Sequence, residues 1–163
     1  MRRPGRRPVS VEGGTQVNTR GSASVVGYGR GTAADARSVR SMTREHWKAR
    51  PEAQDFPAAA SYLSLLVGPA AGAKLAKALQ KQPKLQRFAV KDILRASGLP
   101  LLAVDDPEVA ADLKKVKVGT KLSPVLLVAG TPLWIADGYH RVCASYHLNE
   151  KVLVPCRIVS RKG

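Results

Sequence analysis

Residues 123–159 read SPVLLVAGTPLWIADGYHRVCASYHLNEKVLVPCRIV. Pro124-Val125-Leu126-Leu127-Val128 is apolar at consecutive positions, as in a strand buried on both faces. Gly130-Thr131-Pro132 supplies a turn, and Leu133 to Ala136 reads as a second strand. Asp137-Gly138 breaks that strand, Tyr139 to His147 follows as a helix, and Val152 to Val159 closes as a strand. Pro155 cannot donate to a ladder, so the last strand is expected at a sheet edge or with its beginning at the proline. A strand running through a glycine turn into a helix implies a small mixed sheet with flanking helices, an α+β fold.

Upstream of this stretch, Phe88 and Val90 alternate with Arg87 and Ala89 ahead of Ile93, which predicts a strand feeding a loop at Arg95-Ala96-Ser97-Gly98. Asp105-Asp106-Pro107 predicts the cap of a short helix, about Glu108 to Val116, ended by Gly119. Two amphipathic helices are expected earlier. In the first, Asp55 is placed to cap, Pro57 lies in the first turn, and Tyr62, Leu63, Leu66 and Val67 form the apolar stripe before Gly68-Pro69. The second runs from about Ala70 to Gln82, with Leu75 and Leu79 inward and Lys74, Lys77 and Lys81 in a solvated row. The expected organisation is therefore a tail over 1–50 and a domain over 51–163, with a helical lead-in at 55–82 and a core at 88–159.

The net charge of +15 is split between these parts. Residues 1–50 hold ten Arg and Lys48 against Glu12, Asp35 and Glu45, a net +8, which leaves +7 for the remainder. Up to about Arg40 there is no sustained period of 2 or 3.6, so the tail is expected to be disordered, and a more structured composition opens at Met42. Arg2, Arg3, Arg6 and Arg7 in such an arm could grip nucleic-acid phosphates, or the tail could simply be solvated. The absence of an apolar run of about 18 residues and of an apolar segment behind the basic start predicts a cytoplasmic protein without a membrane partner. Cys143 and Cys156 are too few for a disulfide framework.

The turn carries the chemistry. A helix opening directly after a glycine presents unpaired N–H groups at the positive end of its dipole, where anions bind. His140 and Arg141 in the first helical turn add a switchable donor and a bidentate fork, and Asp137 could cap the helix, hold a divalent metal or orient His140. Asp-Gly is also an ordinary turn dipeptide, in which His140 and Arg141 merely face solvent. A further arrangement uses the same helix: His140, Cys143 and His147 share a face, and Cys156 could complete a zinc site, although small residues on a helix that packs against a sheet fit a core role better.

The order of elements in 123–159, with Asp137-Gly138-Tyr139-His140-Arg141 at its centre, resembles the ParB/sulfiredoxin superfamily, and "FAVKDIL", Phe88 to Leu94, is similar to the first strand of that fold. The resemblance implies a nucleotide-binding domain, with ATP or another nucleotide and magnesium as cofactors and a nuclease module as the alternative. Sulfiredoxins carry their catalytic cysteine, and ParB CTPases a metal-holding glutamate, where this chain has Tyr139, so neither chemistry carries over directly. The turn is most similar to the Asp-Gly-His-His-Arg of free-serine kinases. By that resemblance Asp137 and His140 are the catalytic candidates, Gly138, Tyr139, His140 and Arg141 the phosphate site, and Asp137 the magnesium ligand. Asp92, Asp105 or Asp106 would stand near the base of those kinases. Two other expectations remain: a nucleic-acid-binding module with a basic arm, and an interaction protein without chemistry.

Overall fold

The computed structural model describes residues 46–161. Of the tail expected over 1–50, residues 1–45, including Arg2, Arg3, Arg6 and Arg7, lie outside the described residues, and 46–50 are described. Among those described, five helices and four strands follow in the order α1 (Asp55–Val67), α2 (Pro69–Lys81), β1 (Gln86–Ala89), α3 (Val90–Ser97), α4 (Pro107–Lys117), β2 (Val125–Ala129), β3 (Trp134–Asp137), α5 (Tyr139–Leu148) and β4 (Leu153–Ser160). The fold is α+β, with a mixed sheet ordered β1-β4-β2-β3 in which only β2 and β4 run parallel.

The double-sided apolar character of β2 has a direct cause. Val125 and Leu127 enter one core with Val90, Ile93, Val109, Val142, Cys143 and Val154, while Leu126 and Val128 enter another with Ala59, Leu63, Leu79 and Ala136. Alternate side chains of a strand point to opposite faces, so α3, α4 and α5 cover one face and α1 and α2 the other.

Several expectations are corrected. Asp55 is not the cap of α1 but its first residue, behind Gln54, and its side chain is buried. The inward stripe is Asp55, Ala59 and Leu63, with Phe56 and Tyr62 beside it, whereas Leu66 and Val67 are about two-fifths exposed, at 44% and 38%. Val90–Ser97 is a helix, not a strand and loop: Val90, Ile93, Leu94 and Ser97 are buried at helical spacing, and Gly98 ends it in the left-handed region. The alternation was legible because the Val90 amide still donates to the Val152 carbonyl (2.9 Å), carrying the ladder one residue into the helix.

β4 is an interior strand. β1 pairs with Leu153 to Cys156 and β2 with Cys156 to Ser160, so the two neighbours are staggered. Pro155 lies in the half that has only β1 beside it, which lets a proline sit in a central strand. Order also begins earlier than Asp55. Trp47 is buried in the core and bridges to Leu122, with the Lys48 amide on the Leu122 carbonyl at 2.8 Å and the Leu122 amide on the His46 carbonyl at 2.7 Å.

The helical pair under the sheet packs tightly at Gly72, where an added Cβ would lie 2.6 Å from the Ser64 nitrogen. Gly72→Ala should therefore lower stability by roughly 1–3 kcal/mol as α1 and α2 are forced apart, overriding the helix-propensity gain of about 1 kcal/mol. Urea denaturation checks this, and a higher midpoint in the variant would mean that the helices yield without cost.

Candidate functional site

The chain leaves β3 at Asp137, turns through Gly138 at φ 97° and enters α5 at Tyr139. Glycine is required there twice: for the left-handed backbone, and because a Cβ would press on the Arg141 Nε (3.0 Å) and on Val125 (3.1 Å). No side chain caps α5, so the capping role open to Asp137 is not used.

A β-bulge aims Asp137. Leu127 pairs with Ile135, but Leu126 pairs with Asp137, so Ala136 is the extra residue. Directly paired residues share a face, which puts Asp137 on the side of Leu126 that α1 covers. There its carboxylate accepts from Arg141 Nη2. Arg141 Nη1 donates to the Ser123 carbonyl at 3.0 Å and lies 3.5 Å from Asp55 Oδ1. Asp55 Oδ2 accepts in turn from the Glu52 amide (2.8 Å) and the Ser123 hydroxyl. The side chains of Arg141, Asp55 and Asp137 are 12%, 7% and 19% exposed. The arginine expected as a bidentate fork for phosphate is instead largely buried, its guanidinium spanning two carboxylates. Burial raises the Asp137 pKa above its ordinary value, and Asp55 adds to the rise while Arg141 opposes it.

In front of this cluster lies a cavity of about 430 Å³. The turn supplies Asp137, Gly138, His140 and Arg141 to its wall; the approach to α1 supplies Glu52 and Asp55; α4 supplies Glu108, Asp112 and Lys115; Lys48, Lys121 and Ser123 are also among the lining residues. Lys48 pairs with Glu52 at 2.6 Å and Lys115 with Asp112 at 2.7 Å. A second cavity, also about 430 Å³, lies against the same turn and is lined by Ala58, Tyr62, Leu99, Ile135 and Tyr139. Asp137, Gly138 and His140 border both.

Other sequence candidates fall elsewhere. The Tyr139 hydroxyl donates to the Pro100 carbonyl, pinning the loop after α3, and its ring centroid lies 5.7 Å from that of His140. His140, Cys143, His147 and Cys156 do not assemble: His147 Nε2 is 2.8 Å from the Leu102 carbonyl, both cysteines are buried, and among the described residues no group of three or more His, Cys, Asp or Glu could hold a metal. Asp92 pairs with Arg95, Asp106 caps α4, and neither they nor Asp105 line the main cavity. The carboxylates that do reach it alongside Asp137 are Glu52, Asp55, Glu108 and Asp112. Of these, Asp55 carried a signal, since an acidic residue in phase with Ala59 and Leu63 faces inward.

Comparison with family models, curated proteins and solved structures finds no match. Among the described residues no helix is long and apolar enough to cross a membrane.

Two outcomes follow from the cluster. Arg141→Ala leaves two buried carboxylates without their counter-charge and should destabilise the domain by about 3–5 kcal/mol, with Arg141→Lys recovering part; a midpoint within error of wild type in urea would show that the clamp carries no load. A raised Asp137 pKa means that the native state holds the proton more tightly than the unfolded state. Stability from this group is therefore lost as pH rises from 3.8 to the folded value, and the Tm of Asp137→Asn minus that of wild type should grow across that window and then level off. A difference that shrinks with rising pH contradicts the assignment.

Proposed function

We propose that the main cavity binds the phosphates of a nucleotide together with magnesium, and that the domain is a ParB/sulfiredoxin-type phosphotransferase or nucleotide hydrolase. One observation carries the reading: a single cavity gathers the uncapped start of α5, the lysines Lys48, Lys115 and Lys121, and two largely buried carboxylates, Asp55 and Asp137. An uncapped helix start and lysines suit phosphate oxygens. Magnesium is usually held by one or two carboxylates plus substrate phosphates; both oxygens of Asp55 are engaged with Arg141, Ser123 and the Glu52 amide, so the Asp137 oxygen not bonded to Arg141 is the one that would hold it.

In this reading the backbone of Gly138, Tyr139 and His140 cradles the terminal phosphates, and Arg141 acts from behind, holding Asp137 and Asp55 in place. Magnesium, when bound, would neutralise charge on the phosphate oxygens. His140 borders both cavities, so an acceptor hydroxyl in the second one can pass its proton to the imidazole. The acceptor oxygen then bonds to the terminal phosphorus while the bond to the leaving diphosphate breaks. Water in the acceptor's place gives hydrolysis.

Thermal shift with ATP, ADP, CTP and GTP, each with and without magnesium, tests the reading, because a ligand that binds only the native state raises Tm. At least one nucleotide should raise it, more with magnesium than without, and Asp137→Asn should remove the magnesium-dependent part. If no nucleotide shifts Tm in either condition, the phosphate-cavity reading fails.

A further inference from the structure

The charge of the folded domain is distributed unevenly along its sequence. From Phe56 to Lys91 there is no Asp or Glu, and the stretch holds Lys74, Lys77, Lys81, Lys84, Arg87 and Lys91, six of the net +7 that residues 51–163 carry. All six side chains are exposed. Elsewhere acids are interspersed and some cations meet them: Lys48 meets Glu52, Arg95 meets Asp92, Lys115 meets Asp112, and Arg141 meets Asp55 and Asp137. Among the described residues no salt bridge reaches any of the six.

These cations follow one another along α2, β1 and the first turn of α3. Lys74, Lys77 and Lys81 recur at helical spacing on α2, opposite the buried Gly72, Ala76 and Leu79. Arg157 of β4 donates to the Leu79 (3.2 Å) and Gln80 (2.8 Å) carbonyls, fastening the end of α2 to the sheet. The chain then passes Lys84 into β1, the edge strand that presents Arg87, and reaches Lys91 in the first turn of α3.

We infer that the solvent side of α2 together with the edge strand β1 is a docking surface for the sugar-phosphate backbone of a nucleic acid, separate from the nucleotide cavity and independent of it. A row of unpaired cations along a helix and an edge strand matches a regularly spaced polyanion. A lipid surface fits less well. Interfacial helices insert apolar side chains, whereas the apolar side of α2 is spent on the sheet and none of the large exposed hydrophobics is on α2 or β1 itself, Leu65, Leu66 and Val67 ending the preceding α1. The face carries no set of base-reading side chains beside its cations, so binding is to backbone and weakly selective for sequence.

The test uses the full chain and fluorescence anisotropy with labelled duplex and single-stranded oligonucleotides of about 20 units, between about 50 and 200 mM salt. Lys77→Glu/Lys81→Glu/Lys84→Glu is compared with Lys114→Glu/Lys117→Glu/Lys151→Glu, an equal charge change at exposed lysines on other elements. The first variant should bind at least about tenfold more weakly and lose about 2–3 units of salt slope, one for each phosphate contact removed, while the control changes much less. Glutamine versions of both variants, checked by circular dichroism, keep the comparison valid if the glutamates perturb folding. Equal weakening by both variants would reduce the effect to net charge and overturn the inference. So would unchanged oligonucleotide binding accompanied by lost binding to phosphatidylserine vesicles, which would make the face a lipid surface.

Discussion

The guanidinium of Arg141 sits between two carboxylates that arrive from distant parts of the chain, Asp55 at the start of α1 and Asp137 at the end of β3. Three largely buried charges cannot stand alone, because each loses its hydration and must recover it from a partner. The Ser123 carbonyl takes one more guanidinium hydrogen bond, and the Ser123 hydroxyl and Glu52 amide satisfy the far oxygen of Asp55. Through this one residue the lead-in to α1, the lead-in to β2 and the turn between β3 and α5 are fixed against each other. Those same segments form much of the wall of the main cavity.

Two backbone features make that meeting possible. The bulge at Ala136 turns Asp137 to the face that α1 covers, and Gly138 leaves the space that the Arg141 side chain crosses. The clamp also divides labour within the turn: its side-chain charges are occupied with one another, so an anion entering the cavity meets the backbone N–H groups of α5 and the surrounding lysines. In the function we propose, the arginine organises the carboxylates and contributes charge from behind them.

Much of the architecture was legible in the sequence. The strands at 124–128 and 133–136, the glycine turn and the helix after it follow from apolar runs and breakers, and Asp106-Pro107 announced α4. What escaped depends on tertiary placement. α3 was hidden because β1 passes into it with no intervening turn, and the central position of β4 because Pro155 is tolerated where only one neighbour pairs. The pentapeptide around Asp137 was found, but the role of Arg141 was not: no local pattern reveals a bulge, and none ties residue 55 to residue 141. Asp55 in phase with Ala59 and Leu63 was the one available hint that a buried acid needed a partner.

The clamp is tested most directly by a double-mutant cycle on stability, with Arg141→Met, Asp55→Asn and the pair measured in urea. If the guanidinium and this carboxylate compensate each other's burial, the combined loss should fall short of the sum of the single losses by about 1–3 kcal/mol. Additive losses, agreeing within about 0.5 kcal/mol, would mean that Arg141 and Asp55 do not depend on each other and would contradict the account.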